Sequence, residues 1–287
     1  MKKLTLLVAT AIICSTVSAQ NEDPKNPKTD TIRIGGMIII KNGDNKKGLH
    51  INVGNKNKKK NSKISTNWGV VDLGFSNYID KTNYATAGSF LVNRPGYPAL
   101  DKSDLKLRAG KSVNINIWFF MQQLNLIKHY VRLQYGIGLE LNNYRYKSDI
   151  SYREKGPVPY SIVPTITNTP FIFRDSISFS KNKLAADYLT VPVMLTIASH
   201  RANSDKGFSL GLGISAGYLY SERNKQKSSA RGKHTNKGDY DLERFKFAYQ
   251  AELGLGPVHL YGSYSPASIY QRGLDIRPFT VGVRITN

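Results

Sequence analysis

The chain has 287 residues and a formal net charge of +21, with 41 lysines and arginines against 20 aspartates and glutamates. Its single cysteine, Cys14, excludes a disulfide framework and a thiolate zinc site. No run of 18 apolar residues follows Ala19, so the pattern predicts no transmembrane helix in the rest of the chain.

The first 19 residues have the pattern of a Sec-type signal peptide. Two lysines precede an apolar run over residues 4–14, and small residues lie at positions 17–19. The run is too short for a spanning helix, which needs about 20 apolar residues. Cys14 leaves the alternative of a lipoprotein open, although Ile13 stands where acylation favours a small residue. Behind such a leader, we expect the positive charge to meet lipid phosphates and anionic glycans rather than nucleic acid.

Residues 20–63 are predicted to form a basic periplasmic segment. The first part is polar and contains proline, which is typical of a flexible start. Short apolar or alternating stretches can then form a small β-hairpin, at residues 31–34, 37–40 and 49–53. A run of lysine and asparagine at 56–63 has no apolar residue and indicates a solvated linker.

The remainder, residues 64–287, shows a repeated alternation of polarity. In the segment 131–141 every odd position is apolar or aromatic, and every even position is polar, charged or glycine. Because successive side chains of a strand point to opposite faces, one face of this segment is apolar and the other is polar. The alternation occurs in eight segments, at residues 68–79, 108–121, 129–147, 184–198, 208–222, 243–255, 258–266 and 277–286. This predicts an all-β fold, an eight-stranded antiparallel up-and-down transmembrane β-barrel with a polar, side-chain-filled interior.

The connections between these segments support that prediction, because long and short ones alternate. Outer-membrane barrels have short periplasmic turns and long external loops, with both termini in the periplasm. We therefore expect residues 256–257 to form a periplasmic turn and the protein to lie in the outer membrane of the cell envelope. The long connections are predicted to be external loops, at residues 80–107, 148–183, 223–242 and 267–276.

A soluble lipocalin-like barrel is the alternative, with apolar side chains inside and polar ones outside. The glycines decide against it, since five of them lie on the polar face, at positions 136, 138, 211, 213 and 217. An eight-stranded barrel has room for side chains and little else, so small residues belong inside. Six charged residues share the polar face and are predicted to form a charge network in the lumen: Asp72, Arg132, Glu140, Lys246, Glu252 and Arg284.

Aromatic residues near the strand ends are predicted to form girdles at the lipid headgroups: Trp68, Tyr130, Tyr144, Tyr146, Tyr218 and Tyr220. A second candidate site is the basic loop, which carries Arg223, Lys225, Lys227, Arg231, Lys233 and Lys237. At an anionic surface each such charge contributes about 1 kcal/mol, so the loop is a candidate for binding outer-membrane lipid and lipopolysaccharide phosphates.

Histidines give little support for catalysis or for a metal. His129, His200 and His259 fall at predicted turns or strand starts, but no HxH or HExxH spacing supports a metal or acid–base cluster. His234 lies near Asp239 and Asp241, a pairing that orients the imidazole in some barrel proteases. We predict no catalytic residue, no cofactor and no metal site.

Several segments resemble the PorT-type outer-membrane β-barrel family of Bacteroidota. The resemblance rests on residues 30–34, 68–78, 182–193, 223–227, 261–266 and 277–284. It implies an eight-stranded barrel in an outer membrane; the founding member of that family is linked to protein secretion and gliding, and most members have no assigned activity.

Together these observations predict a non-enzymatic outer-membrane barrel with a structural or partner-binding role, and the resemblance implies the secretion machinery or another envelope protein as a partner. Because loops carry function on rigid scaffolds, the external loops or residues 31–63 are expected to hold the activity. The alternatives are transport of a small solute through a narrow lumen, or a surface lipid hydrolase or protease.

Overall fold

The computed structural model describes residues 29–34, 37–42, 51–53, 63–127, 130–199, 207–256 and 258–285. The chain divides into two compact units, Met1–Asn61 and Ser62–Asn287. In the first unit β1 (Thr29–Ile34), β2 (Met37–Asn42) and β3 (Ile51–Val53) form an antiparallel sheet in that order. The predicted signal peptide and most of the lysine and asparagine run lie outside the described residues.

Eight strands of the second unit form a closed ring. They are β4 (Ile64–Asp80), β6 (Val113–Ile127), β7 (Val131–Arg145), β12 (Lys181–Ala198), β13 (Phe208–Ser228), β15 (Phe245–Leu255), β16 (Val258–Tyr264) and β17 (Ile276–Ile285). Each pairs antiparallel with the next along the chain, and β17 pairs back with β4. The predicted eight-stranded up-and-down barrel is confirmed. No helix in the described part of the chain is long and apolar enough to cross a membrane.

The two faces of the barrel strands differ in polarity as the alternation predicts. Phe75, Leu212 and Val281 point outward and are each about 60% exposed, whereas Asp72 and Asn142 point inward and are fully buried. An apolar exterior around a polar interior is the arrangement that lipid requires. The lipocalin-like alternative is therefore wrong.

Inward glycines make room for large side chains on neighbouring strands. A Cβ placed on Gly138 would lie 2.8 Å from Cε3 of Trp118, a fully buried side chain on β6. Small residues inside the ring thus allow a bulky residue to fill the interior without forcing the strands apart.

Gly138→Ala is expected to destabilise the barrel by about 1–3 kcal/mol, because the added methyl would clash with the Ile117 carbonyl oxygen of the neighbouring strand and with Trp118. The matched control is Gly262→Ala, where a Cβ would meet only the Thr280 carbonyl oxygen at an ordinary 3.6 Å. Urea unfolding of the refolded protein in detergent measures both variants. Equal midpoints for the two would contradict this account of the interior.

Two strand predictions differ from the structure. The second barrel strand, predicted at 108–121, runs over Val113–Ile127, since a 3₁₀ turn at Ala109–Lys111 precedes it. The fifth strand continues to Ser228 and forms a hairpin with β14 (Gly232–Lys237), so the predicted loop at 223–242 is largely β-structure.

A β-bulge explains why the extension of the fifth strand was missed. Asp187 pairs with Ser221 but Tyr188 pairs with Leu219, which leaves Tyr220 as an extra residue. The extra residue moves the outward face from even to odd positions, because side chains alternate along a strand. The period-two pattern of the sequence is therefore interrupted where the strand continues.

The long connections fold into a cap over one end of the barrel. Their short elements are 3₁₀ turns at Tyr84–Thr86 and Gly88–Phe90 and the strands β5 (Leu91–Val92), β8 (Ile150–Arg153), β9 (Gly156–Pro157), β10 (Ile166–Thr167) and β11 (Phe171–Arg174). Three of them form a mixed sheet in the order β5-β11-β8, in which β5 is parallel to β11. We call residues 81–112, 146–180, 229–244 and 265–275 the cap.

The cap and the adjoining strand ends share one hydrophobic core. Cap residues such as Phe90, Tyr152 and Ile172 pack in one buried cluster with Tyr144 and Tyr188 of the barrel strands. The prediction that Tyr144 and Tyr146 belong to an aromatic girdle is therefore wrong. Tyr144 points inward on β7, and Tyr146, the first residue after that strand, is also buried. The other predicted girdle residues are exposed: Trp68, Tyr130, Tyr218 and Tyr220.

Candidate functional site

Arg284 is the centre of the first charge cluster in the lumen. It lies on β17 directly opposite Asp72 on β4, and its guanidinium contacts that carboxylate through two bonds, Nε to Oδ1 at 2.7 Å and Nη2 to Oδ2 at 2.9 Å. Trp118 Nε1 donates to Asp72 Oδ2 at 2.7 Å, and Asn116 Nδ2 donates to the same oxygen at 3.1 Å. This fork geometry is the strongest form of an arginine–carboxylate contact.

The same guanidinium also binds a second carboxylate. Nη1 of Arg284 donates to Glu252 on β15, and the other oxygen of Glu252 lies 2.9 Å from Nδ1 of His259. Gln134 Nε2 approaches Glu252 at 3.5 Å. Arg284 therefore links two buried acids, and His259, which the sequence placed at a strand start, belongs to the cluster.

Lys246 and Glu140 form the second charge cluster. They are joined by a buried ion pair between β15 and β7, two strands that β12 and β13 separate in the ring, so the pair crosses the interior. Asn142 Nδ2 donates to Glu140 at 2.9 Å, and the Thr190 hydroxyl lies 3.3 Å from it. These contacts give the buried carboxylate several partners besides the ammonium group.

Arg132 is the one predicted lumen residue that stands apart. Its Nη1 donates to Oε1 of Gln123 at 3.1 Å, and it makes no ion pair among the residues that the structure describes. Arg132 is the second residue of β7, near the end with the short turns, whereas Glu140 lies deeper on the same strand. Alternation predicts the face on which a residue lies but not its depth along the barrel.

The lumen is therefore crossed by hydrogen-bonded side chains. Asn114 bridges Asn142 and Tyr261, with a distance of 3.0 Å to the former and 2.5 Å to the hydroxyl of the latter. A buried charge is tolerated only when its hydrogen-bonding capacity is met, and the two charge clusters give Arg284, Glu252 and Glu140 such partners across the ring. Such an arrangement supports a rigid, plugged barrel.

Basic side chains from four strands come together on the outer surface of the barrel wall beside the cap. Beyond the bulge, Arg223 lies opposite Lys237 of β14 and Lys227 lies opposite Lys233. On the other side of β13, Lys181 and Lys183 of β12 pair with Lys227 and Lys225, and Arg145 of β7 pairs with Lys183. We call the following residues the basic face: Arg145, Lys181, Lys183, Arg223, Lys225, Lys227, Lys233 and Lys237.

The basic face lies next to the apolar band that faces lipid. On β12 the exposed Leu189 and the first lysine, Lys183, are six residues apart, and on β13 Tyr220 and Arg223 are three residues apart. Burial, together with the neighbouring Lys181 and Lys225, lowers the pKa of Lys183 to about 8. The strand register crowds cations here, since Lys183 lies opposite Lys225, and Asp187 is the acid paired to Arg223.

The sequence predicted part of this surface and misassigned one residue. Five of the six predicted residues of the basic loop lie in the basic face, but Arg231 turns into the cap and forms an ion pair with Asp175 at 3.2 Å. Arg145, Lys181 and Lys183 were missed, because they come from other strands and only the strand register brings them alongside.

The structure does not assemble the proposed His234 pair. Asp239 binds Arg244 at 3.0 Å and Asp241 binds Arg272 at 2.8 Å, so both carboxylates are already paired with arginines. His129 and His200 lie outside the described residues. Within the described ranges, no group of three or more His, Cys, Asp and Glu side chains is placed to hold a metal ion.

Comparison with known proteins identifies the family. Ail, the attachment invasion locus protein of Yersinia pestis, is similar at 14% identity over 76% of this chain and 99% of that chain, with a TM-score of 0.27. The structure of Ail with the heparin analogue sucrose octasulfate has the same identity and coverage and a TM-score of 0.26. Likeness at this level carries no functional argument, and no curated protein matches. Residues 70–267 match the model for the outer membrane protein beta-barrel domain, so the chain belongs to this family of outer-membrane barrels.

Proposed function

We propose that this protein is a non-enzymatic outer-membrane barrel with a structural or partner-binding role, and that its binding surface is the cap with the basic face. The observation that carries the proposal is the interior, where the Lys246–Glu140 pair and the Arg284 cluster cross a ring of only eight strands. An aqueous channel takes about 16 strands, so the barrel serves as a rigid scaffold.

Channel recordings on the refolded protein test this proposal against narrow-lumen transport. We expect no conductance above the lipid background and no solute flux into proteoliposomes, because both the lumen and the cap core are filled by packed side chains. Reproducible unitary conductance that responds to substitution of Glu140 would contradict the proposal and favour transport.

We further propose an orientation with the cap outside the cell. In this arrangement residues 1–19 are a cleaved signal peptide, residues 20–63 form a basic periplasmic segment, and the barrel of 64–287 has its short turns and both termini in the periplasm. The support is the alternation of long and short connections along the ring. Protease added to intact cells should then cut in the cap and spare an epitope tag placed after residue 287.

The partner that the basic face suits best is the phosphate layer of outer-membrane lipid and lipopolysaccharide. The face contains eight cations beside the apolar band, and only Arg223 has an acidic partner among the described residues. Near an anionic surface each free cation contributes about 1 kcal/mol.

Binding to anionic surfaces should weaken as the pH rises from 7 to 9. Lys183 has a pKa of about 8, so it carries its proton below that pH and loses its charge above it. Cosedimentation of detergent-solubilised protein with lipopolysaccharide across this pH range measures the effect. Lys183→Arg should remove much of the pH dependence, because arginine stays charged throughout. A profile identical in the two proteins would contradict the role of Lys183.

We also propose that the chain is a PorT-type protein of Bacteroidota that contacts a secretion or other envelope protein. The support is the set of segments that resemble that family, including 68–78 and 277–284. Affinity purification from mildly solubilised outer membranes tests this. A stoichiometric envelope protein supports an assembly role, whereas recovery of the barrel alone argues against one.

A further inference from the structure

The cap contains a cavity of about 360 Å³ that lies beside the hairpin of β13 and β14 and the strands β8 and β11. Its volume falls in the range of about 300–1,000 Å³ that is usual for small-ligand pockets. Gln226 and its cross-strand partner His234 line it on the face of the hairpin opposite Lys225 and Thr235, and Lys237 belongs both to the lining and to the basic face. The cavity therefore adjoins the surface proposed for lipid phosphates and shares one cation with it.

The floor of the cavity is polar and rigid. Gln226 Nε2 donates to the Ser151 hydroxyl at 2.8 Å, and that hydroxyl donates to Oδ2 of Asp175 at 2.8 Å. Arg231 lies 3.2 Å from the same carboxylate. Gln226, Ser151 and Asp175 are all buried. A floor held by internal bonds is preorganised, which reduces the entropy lost when a ligand binds.

Aromatic rings form one wall. The centroids of Tyr152 and Tyr240 lie 5.4 Å apart with their planes inclined by 58°, and Phe173 also lines the cavity. Tyr152 and Tyr240 are each 1% exposed and Phe173 is 6% exposed, so these rings fix the shape of the wall and the polar residues of the lining are left to contact a ligand.

The rim of the cavity carries side chains of both charges, with more positive than negative charge. Arg153 and Lys237 stand against Glu154, since Asp175 is already neutralised by Arg231. Lys237 and Glu154 make no ion pair or side-chain hydrogen bond in the described part of the chain. The guanidinium of Arg153 lies 3.4 Å from the Pro157 carbonyl oxygen and 5.5 Å from the centre of the Phe173 ring, without an acidic partner among the described residues. These three charges are therefore available to a charged ligand.

We propose that this cavity binds an acidic sugar, a hexose unit that carries a carboxylate or a phosphate. His234 and Asn236 of the lining take its hydroxyls, and Arg153 takes the anionic group, since a guanidinium matches carboxylate and phosphate geometry.

Titration calorimetry on the refolded full-length protein tests the proposal with glucuronic acid, glucose 6-phosphate and glucose. We expect saturable binding of at least one acidic sugar and binding of glucose at least about tenfold weaker, because glucose lacks the anionic group that forms the charge-assisted bond. The two acids distinguish a carboxylate from a phosphate ligand. Arg153→Gln should weaken the acidic sugar by about tenfold or more; Arg153 is exposed, so this variant should fold normally.

Lys181→Gln is the matched control, because Lys181 belongs to the basic face and not to the cavity lining. It should reduce lipopolysaccharide cosedimentation and leave sugar binding unchanged. The cavity proposal would be overturned by any one of three results. These are failure of all three probes to bind, equal affinity for glucose and the two acids, and loss of sugar binding in Lys181→Gln but not in Arg153→Gln. None of these results alters the test of the basic face, so the two proposals fail separately.

Discussion

Arg284→Met is expected to destabilise the folded barrel by about 3–5 kcal/mol, the usual cost of removing one partner from a buried ion pair. Arg284 is 6% exposed and binds both Asp72 and Glu252, so the substitution leaves two carboxylates in the lumen without their main cation. Urea unfolding in detergent, followed by the mobility shift of the folded barrel on gels, measures the loss.

Arg132→Met is the matched control for this prediction. It removes the same kind of side chain from the lumen face, but its bond is to the neutral Gln123 and no carboxylate is left unpaired. We expect a loss below about 1.5 kcal/mol, the net value of one ordinary hydrogen bond. Adding Asp72→Asn to Arg284→Met should recover part of the lost stability. Equal losses in the two arginine variants, or no recovery, would contradict the network.

Tyr152→Ala is expected to unfold the cap while the barrel remains closed. Tyr152 is 1% exposed, its hydroxyl lies 2.6 Å from that of Tyr146 and 2.8 Å from that of Tyr270, and its ring packs against Tyr240. Truncating a buried aromatic residue costs about 3–5 kcal/mol. Limited trypsin digestion should then cut rapidly within the cap, whereas the gel mobility shift of the barrel persists.

Two further substitutions separate packing from hydrogen bonding in the cap. Tyr152→Phe keeps the ring and removes the two hydroxyl contacts, so its effect should be smaller and near 1–3 kcal/mol. Tyr97→Ala alters a cap residue that is 51% exposed and should leave the digestion pattern unchanged. If Tyr152→Ala shifted barrel unfolding as much as cap cleavage, the cap and barrel would unfold as one unit.

The cap and the lumen are the reason that we propose a binding role rather than transport for this protein. The barrel end is covered by a hydrophobic core that includes Phe90 and Ile172, and the interior is crossed by buried ion pairs. Among the described residues, the surfaces that we propose for a partner are the basic face and the cap cavity, both of which depend on the hairpin of β13 and β14.

Much of the barrel was evident in the amino-acid order, because the direction of a side chain on a strand is a local property. Alternation predicted eight strands, an apolar exterior, and a polar face that carries Asp72, Glu140, Lys246, Glu252 and Arg284.

Long-range register decided which of these charges meet and at what depth, so Arg132 falls outside both clusters and His259 falls inside one. Register also placed Lys181 and Lys183 beside Lys225. The bulge at Tyr220 interrupts the period-two pattern, so the pattern did not predict that β13 continues to Ser228. The cap depends wholly on tertiary contacts, because its core joins residues from loops far apart in the chain, and no local period records such contacts.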